Sequence, residues 1–242
     1  MEGPRSTHRQ LGSQCASAGE HPRSVRSFVT RAGRITTAQE RALLNLWPSY
    51  GIEPAGMLDL DALFGRTALR SVEIGFGNGE NLLALAALHP ERDYLGIEVH
   101  RPGVGRLLLG LAALDLKNVR VICRDTVEVL EQHLPPACLE EILVLFPDPW
   151  PKKRHHKRRL IQGPFVSVLA AHLSRGGTLH LATDWGPYAE EMLAVLTAEP
   201  LLRNVAPQGG FVPRPPERPQ TRFERRGERL GHHVWDLTFR RI

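Results

Sequence analysis

Residues 71–81 read Ser-Val-Glu-Ile-Gly-Phe-Gly-Asn-Gly-Glu-Asn, a short apolar run followed by three glycines at alternate positions. The run predicts a buried strand over residues 71–74, and the apolar stretch 81–89 predicts a helix after the turn. Glycine lets the backbone turn tightly and approach a ligand closely, and here it occupies Gly75, Gly77 and Gly79. The stretch therefore predicts a strand–turn–helix unit with a ligand at the turn, although a glycine turn without a ligand is an alternative.

The rest of the chain repeats this alternation of strand and helix. Strands are predicted at 94–99, 119–123, 142–146 and 178–182, with helices at 104–114, 127–133, 159–173 and 187–196. Strands that alternate with helices predict an α/β fold, a parallel sheet with helices on both faces. Residues 233–240 return as a strand that we expect to be antiparallel, and the proline-rich 200–220 reads as a connection. A helix is predicted over 37–47, with Thr37 near its cap and Glu40 three residues on.

Composition sets the broad class. The 242 residues carry a net charge of +5 and are 42% apolar, which suits one α/β domain (36–242) behind a flexible basic N-terminal arm (1–35). The sequence contains no run of about 18 apolar residues, so no membrane span is predicted. The N-terminus lacks an apolar signal core, so a cytoplasmic location is expected. The three cysteines lack metal-ligand spacing, which predicts reduced thiols and no metal site.

The acidic residues near the strand ends indicate the ligand. The glycine spacing differs from the dinucleotide fingerprint, and Glu73 ahead of it suits a cation rather than a pyrophosphate. S-adenosylmethionine fits because it brings a sulfonium and an ammonium but no phosphate. Glu98 could accept hydrogen bonds from the ribose hydroxyls, and Asp125 could accept one from the adenine amino group. With Asp148, these acids lie at or beside the ends of successive strands, where open α/β sheets bind ligands.

A second informative stretch, residues 146–159, reads Phe-Pro-Asp-Pro-Trp-Pro-Lys-Lys-Arg-His-His-Lys-Arg-Arg. Because each precedes a proline, Phe146, Asp148 and Trp150 are expected to be extended. Trp150 could stack on a base or pack under the loop. Within residues 152–159, six of the eight residues are Lys or Arg and the other two are His. Three of the chain's four lysines lie in this run. The stretch predicts an acidic loop beside a patch that binds a polyanion, with strongly salt-dependent affinity.

With these motifs, the chain resembles the bacterial tRNA (guanine-N7-)-methyltransferases, a class I family dependent on S-adenosylmethionine. The resemblance runs from about residue 24 to the C-terminus. It is carried by residues 24–39, 73–79, 96–105, 146–159, 182–185 and 221–224. Two departures are Arg222, where the family usually has lysine, and the Gly186-Pro187 pair, where an acidic residue is commoner.

The resemblance implies a Rossmann-like fold with a mostly parallel seven-stranded sheet, an antiparallel C-terminal strand and helices on both faces. It implies an S-adenosylmethionine pocket at Glu73, Gly75, Gly77, Gly79, Glu98, Asp125 and Asp148, with Asp148 as the active-site residue. It implies substrate contacts at Lys152, Asp184, Thr221, Arg222, Phe223 and Glu224. It implies RNA contacts at Arg154, His155, His156, Lys157, Arg158 and Arg159. The expected partner is tRNA, methylated at guanosine 46 of the variable loop. No obligatory protein partner is expected. The protein is expected to be a monomer or a weak homodimer.

The chemistry of guanine N7 frames the role of Asp148. N7 carries an in-plane lone pair and no proton, so no strong general base is required. We hypothesise that Asp148 accepts hydrogen bonds from guanine N1–H and N2–H and favours the developing positive charge. Asp184 holds the base or Lys152 in this hypothesis, and a helix N-cap is its alternative.

Several other functions compete with this hypothesis. The alternatives are an RNA-binding protein of this fold without catalysis, and a methyltransferase for another RNA position. A small-molecule methyltransferase would not need residues 152–159. The sequence from Asp148 to Pro151 lacks the Pro-Pro pattern of DNA amino-methyltransferases. The glycine spacing disfavours a nicotinamide-dependent oxidoreductase.

Overall fold

The computed structural model describes residues 34–216, 218–229, 231 and 233–242, and at residues 222, 223, 226 and 228 it describes only the backbone. Most of the predicted arm, residues 1–33, lies outside the described residues. The boundary between an arm (1–35) and a domain (36–242) therefore stays a prediction. No helix in the described part of the chain is long and apolar enough to cross a lipid bilayer.

Eight strands in the described residues form one sheet. They are β1 (Gly51–Ile52), β2 (Arg70–Ile74), β3 (Asp93–Ile97), β4 (Val119–Ile122), β5 (Leu139–Leu145), β6 (Leu173–Thr183), β7 (Leu202–Asn204) and β8 (Trp235–Arg241). Their order is β1-β4-β3-β2-β5-β6-β8-β7. Neighbours from β1 to β6 pair in parallel, whereas β8 is antiparallel to β6 and β7. The predicted mostly parallel sheet with an antiparallel C-terminal strand is confirmed. It has eight strands rather than seven because β1 adds an edge too short to leave a sequence pattern.

Helices cover both faces of the sheet, as predicted. In chain order they are α1 (Thr37–Asn45), α2 (Trp47–Tyr50), α3 (Leu60–Phe64), α4 (Glu80–Leu88), α5 (Arg101–Ala113), α6 (Thr126–His133), α7 (Gly163–His172), α8 (Gly186–Ala198) and α9 (Arg222–Arg229). Helices α1, α2, α4 and α5 pack in one apolar core, and α3, α6, α7 and α8 pack in the other. Side chains alternate along a strand, so β5 sends Leu143 to the first core and Ile142 to the second.

The strand register brings the carboxyl ends of the central parallel strands to one edge. Ile74 on β2 lies opposite both Ile97 on β3 and Val144 on β5. Ile97 in turn lies opposite Ile122 on β4. The residues that follow these strands are therefore neighbours in space although they are far apart in sequence. This register positions the candidate site.

Three local predictions are wrong. Thr36, not Thr37, caps α1, because its Oγ1 accepts the Gln39 N–H at 3.3 Å and Gln39 Oε1 accepts the Thr36 N–H at 2.8 Å. The helix predicted over 159–173 begins only at Gly163, and a 3₁₀ helix, Lys153–Arg158, precedes it. The proline-rich stretch 200–220 contains β7, and the 221–224 motif opens α9, which the sequence did not predict.

Candidate active site

The glycine loop joins β2 to α4 at the carboxyl edge of the sheet. Gly77 has a φ of +57°, a left-handed conformation that side chains with a Cβ disfavour. Its N–H donates to Glu98 Oε2 at 2.9 Å. Helix α5 lies so close that a Cβ added at Gly103 would stand 2.1 Å from the Gly77 carbonyl oxygen. The loop is therefore held by β3 on one side and by α5 on the other.

Beside this loop lies a cleft of about 270 Å³, whose lining includes Glu73, Gly77, Asn81, Phe146 and Thr221. Glu73 is buried, and Asn81 Nδ2 donates to its Oε2 at 2.9 Å. Burial raises the pKa of Glu73 from 4.5 to about 8 despite the Asn81 hydrogen bond. Asn81 Oδ1 is buried and accepts no hydrogen bond from the described residues. A buried acid next to an unused acceptor is a suitable receptor for a cation.

Glu98 and Asp125 occupy the predicted strand ends, and each also supports the local backbone. Glu98 Oε1 accepts the N–H groups of Val99 at 2.8 Å and His100 at 3.0 Å. Asp125 is the N-cap of α6 and accepts the Val127 N–H at 2.9 Å. These bonds fix both carboxylates at the edge of the sheet. Their contacts to a cofactor remain predictions.

The loop after β5 has a conformation that the sequence did not predict. Phe146 and Trp150 have φ values of +53° and +44°, so two of the three residues expected to be extended are left-handed. Such conformations cost about 1–3 kcal/mol each and persist only where the surroundings impose them. The Phe146 N–H donates to Ala182 O at 2.8 Å, and the Trp150 ring lies under the Arg158 guanidinium, 5.2 Å away. Asp148 lies exposed between these two bends. The contacts of Trp150 support packing under the loop rather than stacking on a base.

The basic run divides into exposed and buried members. Lys152, Lys153, Arg154 and Lys157 are exposed on or beside the 3₁₀ helix. His155 is half-buried, and loss of hydration, together with the neighbouring positive charges, lowers its pKa. The exposed cations form one surface that adjoins the loop of Asp148.

Arg159 is an exception, because its side chain is not available for the predicted RNA contact in this structure. Its side chain is buried at 1% exposure, where Nη1 pairs with Glu191 and Nε donates to Pro149 O at 2.9 Å. The guanidinium also lies over the Tyr188 ring, 4.7 Å away. It ties the Asp148 loop to α8 and cannot reach a phosphate without breaking these bonds.

The motif at 221–224 forms the first turn of α9. Thr221 Oγ1 accepts the Glu224 N–H at 3.2 Å, and Glu224 Oε2 accepts the Thr221 N–H at 3.4 Å, which makes a capping box. Thr221 lines the cleft, whereas Glu224 is buried and both of its oxygens accept from Arg218. The predicted substrate contact of Glu224 is therefore not available in this structure. The side chains of Arg222 and Phe223 lie outside the described atoms.

Lys152 and Asp184 stand at the same edge of the sheet. Asp184 directly follows β6, and the N-cap of the next helix is Trp185, so the alternative interpretation of Asp184 as that N-cap is wrong. Lys152 is exposed at the start of the 3₁₀ helix. Two residues of the site were not predicted. Asn81 is marked in the sequence only as a polar residue at the start of an apolar helix, and Arg218 lies in a proline-rich stretch that carries no signal for it.

Comparison with known proteins identifies the family and the fold. A family model described as "Putative methyltransferase" matches residues 67–237. A tRNA (guanine-N(7)-)-methyltransferase from Leifsonia xyli subsp. xyli is 60% identical over 216 residues, covering 89% of this chain and 95% of that protein. One from Alkalilimnicola ehrlichii is 58% identical over 229 residues, covering 93% and 96%. The crystal structure of the 16S rRNA methyltransferase KamB matches with a TM-score of 0.57 and 17% identity, covering 79% of this chain and 97% of that one. At that identity, the structural likeness concerns the fold alone.

Proposed function

The chain belongs to the tRNA (guanine-N(7)-)-methyltransferase family, and we propose that it transfers a methyl group from S-adenosylmethionine to guanine N7 in tRNA. The observation that carries the proposal is the sequence identity of 58–60% to relatives of that name over about nine-tenths of the chain. By the family resemblance, the target is guanosine 46 in the variable loop. A cytoplasmic location, a monomer or weak homodimer, and the absence of an obligatory protein partner remain predictions from the sequence.

The cleft suits S-adenosylmethionine on its own chemistry. Bound there, the cofactor supplies an electrophilic methyl group on a sulfonium. Glu73 and the unused Asn81 Oδ1 are placed to receive its ammonium group, and neither needs to move out of the core to do so. Gly77 lets the backbone approach the ligand, while Glu98 and Asp125 lie where ribose and adenine would be recognised.

Asp148 is placed to position the base rather than to remove a proton. It lies exposed on a loop that Phe146 anchors to β6 and Arg159 anchors to α8. Guanine N7 has no proton to lose, so the catalytic gain comes from orientation and from a negative charge near the forming cation. Its carboxylate would accept guanine N1–H and N2–H, with Thr221, Lys152 and Asp184 at the same edge as further contacts.

The exposed part of the basic run serves as the RNA interface. Lys152, Lys153, Arg154 and Lys157 present positive charge next to the Asp148 loop, so phosphates bound there would keep a nucleotide within reach of the cleft. A methyltransferase for a small molecule would gain nothing from this surface. Its position supports an RNA substrate and is the structural argument against that alternative.

The deciding experiment is mass analysis of nucleosides from unmodified tRNA incubated with the protein and S-adenosylmethionine. We expect 7-methylguanosine, and we expect Asp148→Ala to lose most turnover and Asp148→Asn to recover only part of it. Asp115→Asn, at a side chain 81% exposed beyond α5, is the matched control and should leave turnover unchanged.

Each other outcome removes a specific part of the proposal. Methylation at another atom would keep the fold and the cofactor but overturn the role of Asp148. S-adenosylmethionine binding without any methylation would indicate a different RNA substrate or a missing partner subunit, whereas a failure to bind S-adenosylmethionine would favour the RNA-binding protein without catalysis. A fully active Asp148→Asn would remove the electrostatic contribution and leave positioning alone.

A further inference from the structure

One buried guanidinium joins three parts of the chain at the edge of the cleft. Arg218 is 2% exposed and forks onto Glu224, with Nη1 donating to Oε2 at 2.8 Å and Nη2 to Oε1 at 2.9 Å. Its Nε donates to Asp236 Oδ1 at 3.0 Å, and Nη2 reaches Oδ2 at 3.2 Å. Both carboxylates are as buried as the cation. Every one of these bonds is charge-assisted and shielded from water, the geometry in which arginine pairs are strongest.

The three parts are those that form the base-binding side of the proposed site. Asp236 on β8 lies opposite Ala182, two residues before Asp184. Glu224 is the third residue of α9, whose N-cap Thr221 lines the cleft. The Arg218 guanidinium also lies 5.9 Å from the centre of the Phe146 ring, on the loop of Asp148. One side chain thus contacts α9, the strand β8 that pairs with the end of β6, and the loop of Asp148.

Other described contacts hold α9 to the body weakly. The Arg225–Glu80 pair spans 3.9 Å between half-exposed side chains. Arg214, 41% exposed, approaches Glu224 at 3.4 Å. An exposed pair such as Arg225–Glu80 contributes little, and Arg214 reaches the buried Glu224 only from a partly exposed position. Without Arg218, two buried carboxylates would lose their shared counter-charge, with His180 Nε2 still 3.0 Å from Asp236.

We infer that Arg218 is a positioning residue that holds α9 over the cofactor cleft, and that Glu224 acts as its anchor rather than as a contact to the base. Where turnover is concerned, the inference rests on the proposed function. The capping box explains the spacing of Thr221 and Glu224. The ion pair with Arg218, which we call the clamp, explains why Glu224 is buried. Thr221 then remains as the described member of the motif that faces the cleft.

The test compares Arg218→Gln and Arg218→Lys with the control Arg214→Gln, which removes an exposed arginine from the same carboxylate. Amide hydrogen exchange over residues 219–229 reports the position of α9 without RNA. We expect faster exchange and at least about a 100-fold loss of kcat/KM on tRNA for Arg218→Gln. Arg218→Lys should be intermediate because lysine keeps the charge but loses the fork. Arg214→Gln should leave the exchange unchanged.

A second variant separates the anchor from a base contact and covers the case in which Arg218→Gln does not fold. Glu224→Gln should also loosen residues 219–229, and the Arg218→Gln, Glu224→Gln double variant should be no worse than the worse single one. If Glu224→Gln raises the KM for tRNA with wild-type exchange, Glu224 contacts the base and the inference is overturned. Wild-type exchange in Arg218→Gln overturns it as well. If the wild type methylates no guanine N7, the proposed function fails, but the exchange experiment still decides the clamp.

Discussion

The buried carboxyl of Glu73 makes the stability of the cofactor-free protein depend on pH in an unusual direction. Its pKa is about 8 in the folded protein, against 4.5 for an ordinary glutamate. Between these values the folded protein holds a proton that the unfolded chain has lost. Stability linked to Glu73 is therefore fully present below pH 4.5 and falls as the pH rises toward 8. Glu73→Gln replaces the carboxyl by an amide of the same shape. Because the amide does not ionise, the variant should not lose this stability as the pH rises.

The magnitude follows from the linkage relation. Each pH unit inside the window costs the wild type about 1.4 kcal/mol relative to the variant. From pH 5 to pH 7, the advantage of Glu73→Gln in free energy of unfolding should therefore grow by roughly 3 kcal/mol. Urea unfolding of both proteins without cofactor at pH 5, 6 and 7 measures this difference. Glu131→Gln, an exposed position on α6, is the control and should show no such trend.

A constant difference between wild type and Glu73→Gln over this range would refute the reasoning, because Glu73 would then already be ionised in the fold. If the trend is found, the same variant should bind S-adenosylmethionine more weakly by calorimetry. The loss should be larger at pH 8 than at pH 6, since only the ionised carboxyl attracts a cation. A variant that is more stable but binds less tightly identifies Glu73 as a group retained for binding.

Three further predictions address other parts of the site. Arg159→Gln should cost about 3 kcal/mol of stability, because it leaves Glu191 and the Asp148 loop without their buried partner, yet it should not change the salt dependence of RNA binding. Lys153→Gln and Lys157→Gln should each reduce the slope of log affinity against log salt by about 1, measured by filter binding at several salt concentrations. Gly103→Ala should weaken S-adenosylmethionine binding by about tenfold or more, measured by calorimetry. The reason is that the added Cβ would displace the loop at Gly77. An unchanged affinity would show that the loop can move aside.

The parts of the site that depend on strand periodicity could be predicted from the sequence. Parallel strands of similar length end at one edge, so an acid after each strand is placed near the others whatever the intervening loops do. This reasoning located Glu73, Glu98 and Asp125, and it also placed Asp148 and Asp184 at the same edge. The fold followed from the same alternation, apart from the short elements β1, β7, α2, α3 and α9.

The parts that depend on tertiary contacts could not be predicted. Local preference favours an extended residue before proline, but the bond from Phe146 to β6 and the packing of Trp150 override it. Similarly, Asn81 faces Glu73 only because α4 returns over the end of β2. Local sequence carries no information about a partner that the fold brings from elsewhere.

The choice between lysine and arginine nevertheless indicates which cationic side chains are buried. All four lysines of the chain are exposed, and three of them lie in the basic run. The two buried cations at the edge of the site, Arg159 and Arg218, are both arginines that fork or bridge between elements. A planar guanidinium can satisfy several buried acceptors at once, whereas a hydrated ammonium is better suited to phosphates at a surface. In a chain so poor in lysine, a lysine cluster therefore predicts a phosphate-binding surface better than positive charge alone does. An arginine at the end of such a cluster, like Arg159, or in a proline-rich stretch, like Arg218, is then a candidate for a buried residue that holds two elements together.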